Sequence, residues 1–148
     1  MKGNFYDFES SPDALRFEFD SISPQRQISK VVEYTPLPQN TNVYNLGFGD
    51  KKEDGTIDDL VVSNNKDMEL VLATVIQTMF KFFEERPDKT LIFLGSTESR
   101  TRLYQMVIVK NIEEAEKVFQ LRGIINGEIQ NFVIGINYDA FLINLKKI

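Results

Sequence analysis

Met68-Glu69-Leu70-Val71-Leu72-Ala73-Thr74-Val75-Ile76-Gln77-Thr78-Met79-Phe80-Lys81-Phe82-Phe83 is the stretch that decides the class of fold. Met68, Leu72, Val75, Met79 and Phe82 recur at spacings of four, three, four and three. That is the period of a helix with one apolar face, and Val71, Ile76, Phe80 and Phe83 widen the face. Upstream, Asn64 or Asn65 can accept from the free N–H groups of the first turn, and Asp67 and Glu69 suit the positive end of the helix dipole. Pro87 closes the pattern, which predicts a long helix over 65–86.

Outward from this helix, the preceding half reads as strands. Leu15, Phe17 and Phe19 alternate with Arg16, Glu18 and Asp20, as in a strand with one buried face. Ile28 to Tyr34 forms a second strand stopped by Pro36 and Pro38, Val43 to Phe48 a third, and Ile57 to Val62 a fourth. After the helix, Thr90 to Leu94 reads as a buried strand. Leu103, Tyr104, Val107 and Ile108 have helical spacing and place a second helix start near Ser96. Ile112 to Phe119 reads as a short helix leading into a strand over 119–125. Asn126-Gly127 is a two-residue hairpin signal, because a type I′ turn needs positive φ at both positions. Phe141, Ile143 and Leu145 alternate near the end. The expected fold is α+β: an antiparallel N-terminal four-stranded sheet, a long helix, a strand, a second helix and a C-terminal hairpin with strands, in one domain over 1–148.

Composition excludes several chemistries. The 148 residues contain no Cys and no His, so there is no disulfide, no thiol nucleophile, no Ser-His-Asp relay and no thiolate or imidazole metal site. Any metal would be a hard, oxygen-liking ion, and no motif implies a cofactor. The formal net charge of -5 argues against a general nucleic-acid coat, because non-specific affinity comes from Lys and Arg neutralising phosphates. No long apolar stretch follows Met1 to Phe5, and the apolar run around Leu70 to Ile76 is too short to span a bilayer. No membrane association is expected, and the cytoplasm is the expected location.

Three segments could carry chemistry. Gly95-Ser96-Thr97-Glu98-Ser99-Arg100-Thr101-Arg102-Leu103-Tyr104 leads from a buried strand into a helix start, where free backbone N–H groups face outward. Ser96, Thr97 and Ser99 add donors, and Arg100 and Arg102 can hold phosphate or carboxylate with a planar fork. The spacing is not that of a P-loop, and the same residues also make an ordinary helix cap. The loop Asp50 to Asp59 offers Asp50, Asp54 and Asp58 in partial EF-hand register, but Lys52 and Val61 occupy two ligand positions. Asp58 and Asp59 point to opposite faces of a strand, so only one can share a face with Asp50 in a carboxylate pair for a metal or for acid-base work. Finally, Arg16, Phe17, Arg26, Lys30, Tyr34 and Tyr44 interleave basic and aromatic groups that could stack bases along a backbone.

Four blocks together resemble a family of small, about 150-residue bacterial proteins of unknown function. They are Tyr44 to Asp50, Gly55 to Asn65, Val71 to Val75, and Gly95 to Tyr104. The resemblance runs from about Phe17 to the C-terminal strand and implies no activity and no catalytic residue. In shape alone, four strands followed by a long helix also resemble the Whirly and Pur-alpha single-stranded nucleic-acid binding folds.

Three functions fit these observations. A binding module for a phosphate-bearing ligand, including single-stranded nucleic acid, would use Gly95, Ser96, Thr97, Ser99, Arg100, Arg102 and Tyr104. A small phosphate-handling enzyme, such as the toxin half of a two-gene module, would need Asp58 or Asp59 near the Ser96 to Arg102 helix start. A protein–protein adaptor or antitoxin-like homodimer would present an apolar patch or an open sheet edge. Absence of His, Cys and any catalytic motif favours binding over catalysis.

Overall fold

A computed structural model describes residues 5–58 and 67–147. The chain forms two compact units, Met1–Thr35 with Gly47–Arg86, and Pro36–Leu46 with Pro87–Ile148. In chain order the first contains β1 (Glu9–Ser10), β2 (Arg16–Ile22), most of β3 (Gln27–Leu37), the end of β4 (Asn40–Lys51), β5 (Ile57–Asp58) and α1 (Met68–Glu85). The second contains the start of β4, then β6 (Thr90–Phe93), α2 (Glu98–Lys110), α3 (Ile112–Val118), β7 (Phe119–Ile125), β8 (Glu128–Asn131) and β9 (Ala140–Leu145).

In the first unit β1, β2 and β3 pair antiparallel, with Phe17 opposite Val32 and Phe19 opposite Lys30. That register puts Phe17, Phe19, Val32 and Tyr34 on one face, and all four are buried. From α1, the stripe read in the sequence buries Val71, Leu72, Val75, Met79, Phe82 and Phe83. Tyr34 stacks on Phe82 with centroids 4.6 Å apart, and its hydroxyl lies 2.7 Å from Thr78 Oγ1. Burial raises the pKa of that phenol far above its ordinary range. Helix α1 ends before Pro87, with Arg86 N–H donating to the Phe82 carbonyl.

The N-cap of α1 is Asp67, whose carboxylate does not cap the helix. It accepts instead from the Tyr6 and Ser21 hydroxyls, and Tyr6 N–H donates to Thr74 Oγ1 at 2.9 Å. The expected caps Asn64 and Asn65, and the expected strand beyond Asp58, lie outside the described residues. Pro36 does not end β3, which runs on to Leu37 before a Pro38-Gln39 turn. Proline's fixed φ fits extended backbone, and its missing N–H is tolerated at this exposed position near a strand end.

In the second unit the order is β4-β6-β9-β7-β8. The β4–β6 pair is parallel and the others are antiparallel. The N-terminal strands are therefore antiparallel as expected, while β4 also takes a parallel partner from the C-terminal half. Leu46, Leu91, Phe93, Phe119, Phe141 and Ile143 are buried, and Tyr104 of α2 stacks on Phe93 at 4.8 Å. The hairpin between β7 and β8 turns at Asn126 (φ 53) and Gly127 (φ 78), as its sequence requires.

Gly123 of β7 lies against the fully buried ring of Tyr138, and a Cβ there would overlap the ring. Gly123→Ala is expected to destabilise by about 1–3 kcal/mol through overpacking. Urea unfolding would measure the loss.

Candidate functional site

The segment 95–104 forms the expected strand-to-helix turn, and most of its donors are already used. Thr97 is the N-cap, and its hydroxyl accepts from Arg100 N–H at 3.2 Å. Gly95 N–H donates to Thr101 Oγ1 at 3.0 Å, which in turn donates to the Thr97 carbonyl. Gly95 is required by close approach, since a Cβ would sit 2.6 Å from Arg100 Cβ. Ser96, Thr97 and Ser99 are exposed, and Glu98 places a carboxylate in the first turn. Tyr104 is buried in the core stack.

The two arginines differ. The half-buried Arg100 has no hydrogen-bond or ion-pair partner for its guanidinium among the described residues. Arg102 turns inward: Nη1 donates to Gln105 Oε1 at 2.8 Å and Nη2 to the Tyr138 carbonyl. Gln105 Nε2 donates to the Ile136 carbonyl, and Tyr138 N–H donates to Gln105 Oε1 at 3.1 Å. Arg102 thus ties α2 to the 132–139 loop.

In the first unit Asp50 and Asp58 are direct cross-strand partners, so they share a face, and Asp50 accepts from the buried ammonium of Lys30. Asp59 lies outside the described residues. Asp54 accepts from Thr56 N–H and Oγ–H at 3.0 and 2.6 Å, an Asx turn that uses its carboxylate locally. Among the described residues no three acidic side chains group as a metal site. Of the interleaved basic and aromatic residues, Phe17 and Tyr34 are core, and Arg26 is exposed in a turn. Arg16 is held by Glu18, Glu33 and the Gly55 carbonyl. The Lys51 ammonium, and then Arg16, lower the pKa of Glu18 below the usual carboxylate range.

A site that the sequence reading missed lies in the second unit. The registers put Thr90, Ile92, Gln120, Arg122, Asn131, Leu142 and Asn144 on one sheet face. Three of them are linked: Arg122 Nη2 donates to Asn144 Oδ1 at 3.0 Å, and Asn144 Nδ2 donates to Thr90 Oγ1 at 2.8 Å. Arg122 Nε is buried without a hydrogen-bond partner. Gln120, Arg122, Asn131 and Asn144 border a cavity of about 850 Å³ whose charged lining is Arg122, Lys146 and Lys147 against Asp88 and Glu116. Phe119, Leu121 and Phe132 also line it. A guanidinium half-fixed by one amide, with an unused buried N–H, can receive an anionic oxygen without reorganising.

The chain belongs to a family of unknown function, DUF6934, whose model matches residues 2–146. No curated protein and no solved structure matches it. Among the described residues no helix is long and apolar enough to cross a membrane.

Arg102→Leu is expected to cost about 1–3 kcal/mol in urea unfolding, because the Tyr138 carbonyl loses its donor and Gln105 one of two. Arg100→Ala should stay within about 0.5 kcal/mol. For Glu18, a lowered pKa means stability present above the ordinary carboxylate pKa and lost as pH falls through the lowered value. Glu18→Gln should therefore flatten the acid side of a pH–stability curve, as followed by thermal melts.

Proposed function

We propose that this family member is a binding module for a phosphate-bearing ligand, held in the cavity around Arg122. The observation that carries the reading is the buried, unpartnered Nε of Arg122 beside a hydrogen-bonded Asn144, in a cavity that also reaches Lys146 and Lys147. A buried donor without a partner costs about 1–3 kcal/mol, and an anionic acceptor would relieve that cost.

The start of α2 supports the reading less. Its cap is filled by Thr97, Glu98 opposes an anion, and Arg102, whose Nε is also buried without a hydrogen-bond partner, already spends both terminal nitrogens on Gln105 and Tyr138. Binding of single-stranded nucleic acid has less support again. The face that carries Arg122 presents Thr90, Ile92, Gln120, Leu142 and Asn144 and no aromatic ring for base stacking along a strand. The net charge of -5 also opposes a polyanion.

Inorganic phosphate is expected to raise the thermal midpoint in a concentration-dependent way, as a ligand of the native state must. Arg122→Gln should abolish that rise while unfolding cooperatively in urea. If the folded variant responds to phosphate as the parent does, the cavity is not the binding site.

A further inference from the structure

The first unit has an open sheet edge beside β2. Ser23 N–H donates to the Arg26 carbonyl and Tyr34 N–H to the Leu15 carbonyl, which puts the β2–β3 bonds on Phe17, Phe19 and Ser21. The peptide groups of Glu18, Asp20 and Ile22 therefore point away from β3. Those of Glu18 face Glu9 of β1, and Ile22 N–H donates to the Tyr6 hydroxyl at 3.1 Å. Between them, Asp20 N–H and C=O have no hydrogen-bond partner among the described residues. Asp20 borders a cavity of about 580 Å³ together with Asp7, Glu9 and Glu18.

Charge explains why this edge stays open. Glu9 stands directly opposite Glu18, a like-charge pair that weakens a ladder. Carried on in the same register, β1 would place Asp7 opposite Asp20. The chain leaves the edge instead: Tyr6 N–H donates to Thr74 Oγ1 at 2.9 Å, and the Tyr6 and Phe8 rings pack on Phe19 and Phe17. By register Glu9, Glu18 and Asp20 share the opposite face from those rings. Glu18 is paired with Arg16 and Lys51, whereas Asp7, Glu9 and Asp20 have no cationic partner among the described residues.

We propose that this edge docks an extended basic segment of a partner protein, which adds a strand antiparallel to β2. Its main chain bonds the open peptide groups of Asp20, as in other cases of strand addition to a sheet edge. Residues opposite Asp20 put their side chains on the acidic face, where Lys or Arg meets Glu9 and Asp20. The charges that turn the chain's own strand away thus favour a cationic one. A second copy of this chain would bring the same acidic edge and the same repulsion. The site lies wholly in the first unit and is independent of the phosphate reading at Arg122.

The test is titration of the full chain with a blocked heptapeptide of alternating Lys and Val, followed by calorimetry and amide hydrogen exchange. The peptide is expected to bind and to slow exchange at the Asp20 amide about tenfold or more. The same peptide N-methylated at its Lys residues keeps every charge but loses the donors that face β2, and should bind about tenfold more weakly. Asp7→Lys, at an exposed position, should weaken binding of the parent peptide about twofold or more and leave the thermal midpoint unchanged. Equal affinity of the methylated and unmethylated peptides would mean attraction by charge alone and would overturn the proposal, as would absence of binding. Protection of the Asp20 amide that rises with protein concentration, without any peptide, would overturn it in favour of a second copy.

Discussion

Tyr138 is the constraint on which the second unit depends. Its ring fills the space left by Gly123, and its hydroxyl accepts from Val133 N–H at 2.9 Å and Gln130 Nε2 at 3.1 Å while donating to the Asn131 carbonyl. Its own N–H and carbonyl are taken by Gln105 and Arg102 of α2. One side chain and its peptide groups thus pin the returning 132–139 loop to a hairpin and a helix at once. Val133 and Ile134 of this loop are exposed, so its order comes from the buried Tyr138 ring together with these polar contacts, each worth about 0.5–1.5 kcal/mol in a neutral pair and more where Arg102 is the donor.

The same constraint shapes the cavity. Asn131 and Phe132 lie where β8 gives way to the loop, so fixing the loop fixes one wall. The other walls come from β7 and β9, two neighbouring strands in the middle of the unit's hydrogen-bonding order. Arg122 and Asn144 therefore stand on elements braced on both sides, which suits a site that must be ready before a ligand arrives. The start of α2 is different: its hydrogen bonds are local, between Gly95, Thr97, Arg100 and Thr101, and they close the turn on itself.

What the sequence made legible follows from how local each signal is. Helix α1 could be read because a single apolar stripe recurs over its length, and the β7–β8 turn because Asn126-Gly127 suits positive φ at both positions. The parallel pairing of Val43–Leu46 with Thr90–Phe93 had no such signal, since the two segments are far apart in the chain and both read simply as strands. Asp67 marked a helix start correctly but was expected only to suit the dipole. Its carboxylate is instead spent on Tyr6 and Ser21, contacts no local pattern encodes.

The candidate site was legible in kind more than in place. The sequence pointed to arginine as the group that would hold an anion, and it weighed Arg100 and Arg102 because glycine and hydroxyl residues surround them. Those neighbours serve the helix start, and Arg102 proved to be a brace for Tyr138. Arg122 drew no notice because an arginine alternating with Leu121 and Gly123 reads as the solvent side of a strand. The signal that could have found it lies in β9. Asn144 stands between Ile143 and Leu145, and a polar residue within a strand flanked on both sides needs a partner. Asking what satisfies Asn144 leads to Thr90 and Arg122, and from the buried Nε of Arg122 to the cavity.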